Sequence, residues 1–235
     1  MKASTRTHEI FLGLERLFLK KTVLSISGES GTGKTTFALY LVGKLLHNEE
    51  SCIWIQAGEE FPIRRLEQIF KFSPIILNRI KKNTFLIPEG KLIHSYQEQS
   101  LLIQKIFNQD TVLPPSIKII VIDNISHHLR YKVTHTANPI ISLSLLDDFY
   151  ETQLLPLILF CKRNKIILVL IHENTYNPKL EICKPFFYKL YDRLDTIDII
   201  LTNIFKIKKK ILELSVDKSK WNFQYTLGQL GITIF

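Results

Sequence analysis

Gly28-Glu29-Ser30-Gly31-Thr32-Gly33-Lys34-Thr35-Thr36 is the stretch on which the reading of this chain turns. Apolar Val23-Leu24-Ser25-Ile26-Ser27 precedes it, and helix-prone Thr36-Phe37-Ala38-Leu39-Tyr40-Leu41-Val42 follows. Strand, glycine loop and helix in that order turn a G-x-x-x-x-G-K-[ST] match into a phosphate-binding loop. Successive backbone N–H groups of such a loop form an anion-binding nest, and the helix N-terminus adds its positive end. Glycines permit φ > 0 and let the backbone come close to phosphate oxygens. Lys34 is suited to neutralising β- and γ-oxygens, and the Thr35 hydroxyl to ligating Mg²⁺. The expected ligand is a nucleoside triphosphate with its magnesium ion.

Outward from the loop, apolar periodicity predicts a strand at about 22–27 and a helix over 34–47. Cys52-Ile53-Trp54-Ile55-Gln56 reads as a buried strand, followed by a turn at Gly58-Glu59-Glu60-Phe61 and a helix from Pro62 to about Phe72. A short strand is expected at 84–88 and a helix at 96–107. Ile117-Lys118-Ile119-Ile120-Val121-Ile122-Asp123 has the β-branched character of a central parallel strand. Residues 131–142, with Asn138-Pro139, read as a mobile polar loop, and a long helix kinked at Pro156 follows from Leu146 to Cys161. Ile166 to Ile171 is a buried strand, 172–195 a second polar loop, and three antiparallel strands close the chain at about 198–205, 210–216 and 221–227. The lead-in 1–21 is apolar enough to pack on the core. The pattern predicts one α/β domain over 1–235, a mostly parallel sheet with an antiparallel edge of hairpins.

The 235 residues, 46% hydrophobic and 23% charged, are ordinary for a globular protein and sufficient for one large core. No apolar run reaches the ~18 residues of a membrane span, and the N-terminus lacks the apolar core of a signal peptide, so a cytoplasmic location is expected. Cys52, Cys161 and Cys183 show no C-x-x-C spacing and are read as buried free thiols. The net charge of +9 is spread over short basic clusters, among them Arg64-Arg65 and Lys162-Arg163, which suits a polyanionic partner as well as it suits a solvated surface.

Mg²⁺ on a phosphate loop needs a carboxylate at the end of a neighbouring strand, acting through water, and Asp123 after Ile119 to Ile122 meets that requirement. With this second element the chain resembles the RecA/RadA recombinase superfamily, most closely the archaeal RadB paralogues, over about 14–235. Trp54-Ile55-Gln56-Ala57-Gly58-Glu59-Glu60-Phe61 with Arg64-Arg65-Leu66 and Ile69 looks like the family's "YIDTEG-x-F…ERL-x-x-I" stretch. Val121-Ile122-Asp123-Asn124-Ile125-Ser126 with Leu129-Arg130 looks like "VVDS-[ILV]-[ST]-x-L-x-R", Ile167 to Thr175 like the sensor strand "VVVTNQV", and Gly231-Ile232 like the "I-T-x-x-G-I" ending.

The resemblance implies a RecA-like P-loop core that binds ATP and Mg²⁺, without a separate DNA-binding domain. It also implies single-stranded DNA and a RadA-type recombinase or other repair protein as partners. Monomers, dimers or other small homo-oligomers are expected over extended filaments, and a cytoplasmic, nucleoid-associated location. The family's hydrolytic glutamate aligns with Gly58, leaving Glu59 or Glu60 as its replacement, and the sensor glutamine aligns with Asn174, beside Glu173. Weak or slow ATP hydrolysis is therefore expected, with Lys34, Glu59, Glu60 and Asn174 as catalytic candidates. Two DNA-facing loops are implied at 131–142 and about 174–191, with Arg130, Lys132, Lys179 and Lys184 as DNA-binding cations and Tyr176, Phe186, Phe187 and Tyr188 as stacking faces. A KaiC-like ring-forming signalling ATPase and a non-hydrolysing ATP-binding interaction module stay open as alternatives.

Overall fold

The computed structural model describes residues 2–18, 20–177, 182–204 and 209–235. In chain order these form α1 (Lys2–Leu17), β1 (Val23–Gly28), α2 (Lys34–Leu45), β2 (Ser51–Gln56), α3 (Ile63–Ile69), α4 (Pro74–Asn83), β3 (Thr84–Ile87), α5 (Tyr96–Phe107) and β4 (Ile117–Asp123). Then come α6 (His127–Thr134), α7 (Pro139–Phe149), a π-helical turn (Tyr150–Leu154), α8 (Leu155–Arg163), β5 (Ile167–Asn177), β6 (Ile182–Pro185) and α9 (Tyr188–Tyr191). The chain closes with β7 (Ile197–Ile204), β8 (Lys209–Val216), β9 (Ser219–Gly228) and β10 (Gly231–Ile234).

The strands lie in the order β10-β9-β8-β7-β1-β5-β4-β2-β3, with β6 paired to β5 alone. Neighbours from β7 through β3 are parallel, and those from β7 to β10 are antiparallel. This is the expected α/β class with its antiparallel flank. The cause is legible in β2, where Cys52 and Trp54 join one core and Ile53 and Ile55 the other. A strand apolar on both faces must be covered on both, and only parallel strands with crossover helices do that efficiently. Leu24 and Ile26 of β1 pack with Phe37, Leu41 and Leu45 of α2, and Phe11 and Leu14 of α1 extend the same layer. The lead-in is thus a helix, tied to the sheet by the Ile234 N–H donating to Thr7 Oγ1 at 2.8 Å.

Several sequence expectations need correction. Residues 131–142 are not a loop: they hold the end of α6 and the start of α7, with Asn138 Oδ1 accepting the Ile140 N–H at 2.9 Å and Pro139 in the first turn. Asn-Pro there is a helix start, because Pro at N1 lacks only an N–H that would go unsatisfied anyway. The long helix therefore begins at Pro139, and Pro156 is accommodated by the π-turn before it, in which the Leu155 N–H reaches back to the Tyr150 carbonyl. Residues 172–195 are not one loop either: β5 runs on to Asn177 and folds back as β6, with Asn174 opposite Pro185. The helix after Pro62 stops at Ile69, a further helix fills Pro74–Asn83, and four strands rather than three close the chain. Cys52 and Cys161 are buried free thiols, and burial pushes the Cys52 thiol up to about 12; the Cys183 side chain lies outside the described residues.

His172 sits on β5 with no exposure, and neither ring nitrogen has a partner among the described residues. Its ring meets Tyr191 edge-on at 4.1 Å. Burial, aided by the charge of Lys34, holds its pKa down to about 3. Because this lies below the ordinary value of 6.5, the unfolded chain takes up the proton first as pH falls. Stability from this group is complete above pH ~6.5 and declines toward pH 3, about 2 kcal/mol being lost by pH 5. Urea denaturation at pH 7 and pH 5 measures the loss. His172→Asn is expected to flatten the difference, and an unchanged pH dependence in the variant would exonerate His172.

Candidate nucleotide site

The glycine loop leaves the C-terminal edge of β1 and enters α2 through Gly33, whose φ of 99° is left-handed. Thr32 Oγ1 donates to the Glu29 carbonyl at 2.8 Å, closing the loop on itself. Lys34 Nζ donates to the carbonyls of Gly28 at 3.0 Å and Glu29 at 2.9 Å, so the ammonium lies inside the ring of the loop. Gly28 is required for a reason other than backbone freedom. A Cβ there would lie 2.5 Å from the Leu201 carbonyl oxygen of β7 and 2.6 Å from Thr32 Oγ1.

A cavity of about 260 Å³ opens over the loop, walled by Lys34, Thr35, Glu59, Asp123, Glu173 and Leu227 among others. Thr35 Oγ1 donates to Asp123 Oδ2 at 2.9 Å, which joins the start of α2 to the end of β4. Burial pushes the Asp123 carboxyl up to about 6; the Thr35 hydrogen bond and Lys34 oppose this, while Glu59 and Glu173 add to it. Burial lowers the Lys34 pKa, and Glu173, Asp123 and Glu59 counter it in that order. The chemistry of the set fits a nucleotide with Mg²⁺. Hard oxygen donors from a hydroxyl and a carboxylate suit that ion, and a half-buried ammonium inside an amide-lined loop suits a polyphosphate.

Of the remaining candidates, neighbours in sequence part ways at this cavity. Glu59 reaches it. Glu60 does not: it lines a separate cavity of about 560 Å³ with Phe61, Lys81 and Thr84 at the β3 edge. Glu173, opposite Gly28 on the parallel pair β1–β5, also reaches it. Asn174, one position on, is absent from its wall, and its buried Oδ1 has no partner among the described residues. Successive side chains of a strand point to opposite faces, so one residue separates a cavity group from an outsider. Gly58 has the His127 ring over it, and a Cβ there would stand 3.1 Å from His127 Cγ. The His127 and His128 rings meet edge to face at 4.8 Å.

No protein-family model matches the chain. It is 27% identical over 119 residues to the DNA repair protein RAD57 of Saccharomyces cerevisiae. The match takes in 47% of this chain but only 25% of that relative's length. Set on a mostly parallel sheet with antiparallel C-terminal strands, this likeness supports the RecA superfamily as a coarse assignment. The fold is RecA-like.

Three residues of this RecA-like core bear on the cavity without having been marked as site residues. Arg65 Nε donates to Thr36 Oγ1 at 3.1 Å, and its Nη atoms donate to the carbonyls of Gly228 at 2.8 Å and Gln229 at 3.1 Å. The guanidinium thus pins the β9–β10 turn to the far end of the glycine loop. Tyr225 of β9, buried, donates its hydroxyl to the Thr32 carbonyl at 2.8 Å. Leu227 packs over Gly33. In the sequence Arg65 belongs to a basic pair within the family-like Arg64-Arg65-Leu66 stretch, without a role assigned to it, and the other two read as strand residues. Nothing local gives their roles at the loop, since these depend on β9 crossing behind a loop nearly two hundred positions earlier.

The described cations expected to face DNA each contact a ring or a carboxylate of the fold. Arg130 pairs with Glu173 at 2.6 Å and lies 5.1 Å from the Phe186 ring centroid. Lys132 stands over Tyr96 at 4.4 Å and Lys184 over Tyr188 at 3.9 Å. Phe186 and Phe187 pack edge to face at 4.1 Å. Lys179 and the side chain of Tyr176 lie outside the described residues.

Proposed function

We propose that this RecA-like core binds ATP–Mg²⁺ on Gly28 to Thr36 and serves homologous recombination and DNA repair. In this reading it acts as a RadB-like paralogue beside a RadA-type recombinase or another repair protein, as one ATPase core and with slow hydrolysis. The observation that carries the proposal is the Thr35–Asp123 hydrogen bond at 2.9 Å, a hydroxyl and a carboxylate brought together at the mouth of the loop that holds Lys34. Mg²⁺, when bound, would neutralise phosphate charge between these two groups. Lys34 exchanges the Gly28 and Glu29 carbonyls for phosphate oxygens, and the amides of 31–35 receive the rest. Glu59, with no described partner, orients water on the γ side. Its place one residue beyond Gly58, and His127 over Gly58, favour a slow enzyme over a fast one. Glu173 ties this cavity to Arg130 and, through it, to Phe186, a short route by which nucleotide charge reaches the face proposed for single-stranded DNA. A cytoplasmic, nucleoid-associated location is part of this reading, and no helix among the described residues is long and apolar enough to cross a membrane. Small homo-oligomers remain part of this reading.

The test is fluorescence anisotropy of labelled single-stranded DNA across a salt series, with and without ATP–Mg²⁺. Binding that tightens with nucleotide and weakens steeply with salt is expected, because neutralised phosphates release counterions. Absence of binding under every nucleotide condition overturns the DNA assignment. Rings on sizing with ATP would then point to a KaiC-like protein, and nucleotide binding without assembly or hydrolysis to an interaction module.

A further inference from the structure

The sheet face opposite α1 and α2 is apolar under α8 but turns polar at β1. Val23, Leu168 and Leu170 belong to the core on that side. By strand parity Ser25 and Ser27 of β1, His172 of β5 and Asp198 of β7 share it. Ser25 and Ser27 are 4% and 1% exposed and His172 not at all. Burying a hydroxyl or ring nitrogen without compensation costs about 1–3 kcal/mol, so this set is a poor way to build a core.

A cavity of about 280 Å³ opens over them, between β1, β7, β8 and the Tyr188–Tyr191 turn. Four carboxylates line it (Asp192, Asp198, Glu213 and Asp217) against two amines, Lys184 and Lys220, an acidic balance inside a chain of net charge +9. Glu213 is occupied by Lys220 at 3.0 Å, and Asp217 by Lys21 at 2.7 Å. Among the described residues Asp198 accepts hydrogen bonds from neutral hydroxyls, Thr196 at 2.9 Å and Ser25. Neither Asp198 nor Asp192 is bonded to a cation among the described residues.

An independent feature points the same way. Tyr191, 5% exposed, forms part of the cavity wall, and its buried hydroxyl has no partner among the described residues. Tyr188 also lines the cavity, and the ammonium of Lys184 rests 3.9 Å from its ring centroid. The chain thus already seats one alkylammonium on this wall, as a cation–π contact. The volume far exceeds the roughly 30 Å³ of a water-sized ion. No group of three or more ligand side chains among the described residues is placed to hold a metal.

We propose that this cavity, on the opposite side of β1 from α2, binds a small organic cation, an alkylguanidinium or alkylammonium. Asp198 and Asp192 provide the counter-charge, the Tyr191 hydroxyl and Ser27 the hydrogen bonds, and the Tyr188 ring an aromatic face. The site is separate from the nucleotide cavity and does not rest on the ATP reading.

Agmatine is the probe, titrated calorimetrically into the full chain at fixed ionic strength. Saturable one-to-one binding is expected. Asp198→Asn, which keeps an acceptor for Thr196 but removes the charge, is expected to weaken it about tenfold or more. Tyr191→Phe is expected to weaken it severalfold without lowering thermal stability, because the hydroxyl has no partner among the described residues to lose. Lys184→Ala should tighten it by removing a like charge and baring the ring. Lys34→Ala should leave it unchanged, which separates this site from the nucleotide cavity. Glu67→Gln, removing a surface acid elsewhere, is the control for diffuse attraction. Lack of saturable binding overturns the proposal, as does an Asp198→Asn affinity equal to that of the parent, or equal losses in Asp198→Asn and Glu67→Gln. Should Asp198→Asn fail to fold, Tyr191→Phe and Lys184→Ala decide the matter through their opposite signs.

Discussion

Lys34→Ala is expected to lower affinity for ATP–Mg²⁺ by about a hundredfold, the weight of roughly two charge-assisted hydrogen bonds to phosphate. The side chain spans the loop, bonding the carbonyls of Gly28 and Glu29 at 3.0 and 2.9 Å. It is also the cation that faces Glu173, Asp123 and Glu59 together. Without it a triphosphate would meet Asp123 and Glu59 with no cation among the described residues beside them, Glu173 alone being paired, with Arg130. The effect on the unliganded fold should be small. Burial already disfavours the ammonium, and water can hydrate the two carbonyls once it is gone. Anisotropy of a fluorescent ATP analogue measures the affinity, and thermal unfolding without nucleotide checks the fold. An unchanged affinity would remove Lys34, and with it the triphosphate reading of the loop. Loss of nucleotide binding with intact repair function would instead sink the idea that ATP is the switch.

Gly28→Ala is expected to act on fold and site at once. The added methyl would stand 2.5 Å from a β7 carbonyl oxygen and 2.6 Å from Thr32 Oγ1, both well inside contact distance. Neither is the free end of a flexible chain: the first is backbone of the paired strand, and the second closes the loop by bonding Glu29. Relief requires β1 and β7 to part or Thr32 to leave its hydrogen bond. Overpacking of this kind costs about 1–3 kcal/mol, and the displaced Thr32 adds the loss of the loop's closure. Gly31→Ala offers the contrast. Its φ of +73° strains a side chain, but no atom lies within 4 Å of the new Cβ. The cost there is about 1–2 kcal/mol of backbone strain with the pocket left open. Urea denaturation of the two variants, read beside ATP binding, should show the larger loss on both counts in Gly28→Ala. Equal behaviour of the two would mean that the β1–β7 approach is looser than the structure has it.

Both substitutions fall in a motif that is plain in the sequence, yet the physical reason for the second is not. A glycine-rich loop announces backbone freedom, and Gly31 and Gly33 do use positive φ. Gly28 is there because another strand passes close by, which no window of neighbouring residues can report. Asp123 was legible for the opposite reason, since a β-branched run that ends in an acid places that acid at a strand terminus whatever lies beside it. Asn138-Pro139 misled because the same pair starts a helix or a turn, and only the Leu146, Phe149 and Leu154 packing that follows selects the helix. Likewise 172–195 carries enough polar residues to read as a loop, while β5 and β6 are held by backbone pairing, which is blind to side-chain polarity.

By itself the sequence determined the strand–loop–helix unit at 23–45, the two-faced apolar strands and hence the α/β class, and the acid at the end of β4 that meets Thr35 beside the glycine loop. These are consequences of local backbone preference and of periodicities two and 3.6, which a contiguous stretch carries in full. Tertiary structure alone decided that Glu59 and Glu173, and not Glu60 and Asn174, face the cavity. It likewise decided that Arg130 is committed to Glu173, and that Arg65 and Tyr225 brace the loop from α3 and β9. Those choices hang on where a strand stops and which neighbour it meets. A one-residue difference at a strand end turns a side chain to the other face, and the neighbour that fixes it lies tens to hundreds of positions away in the chain.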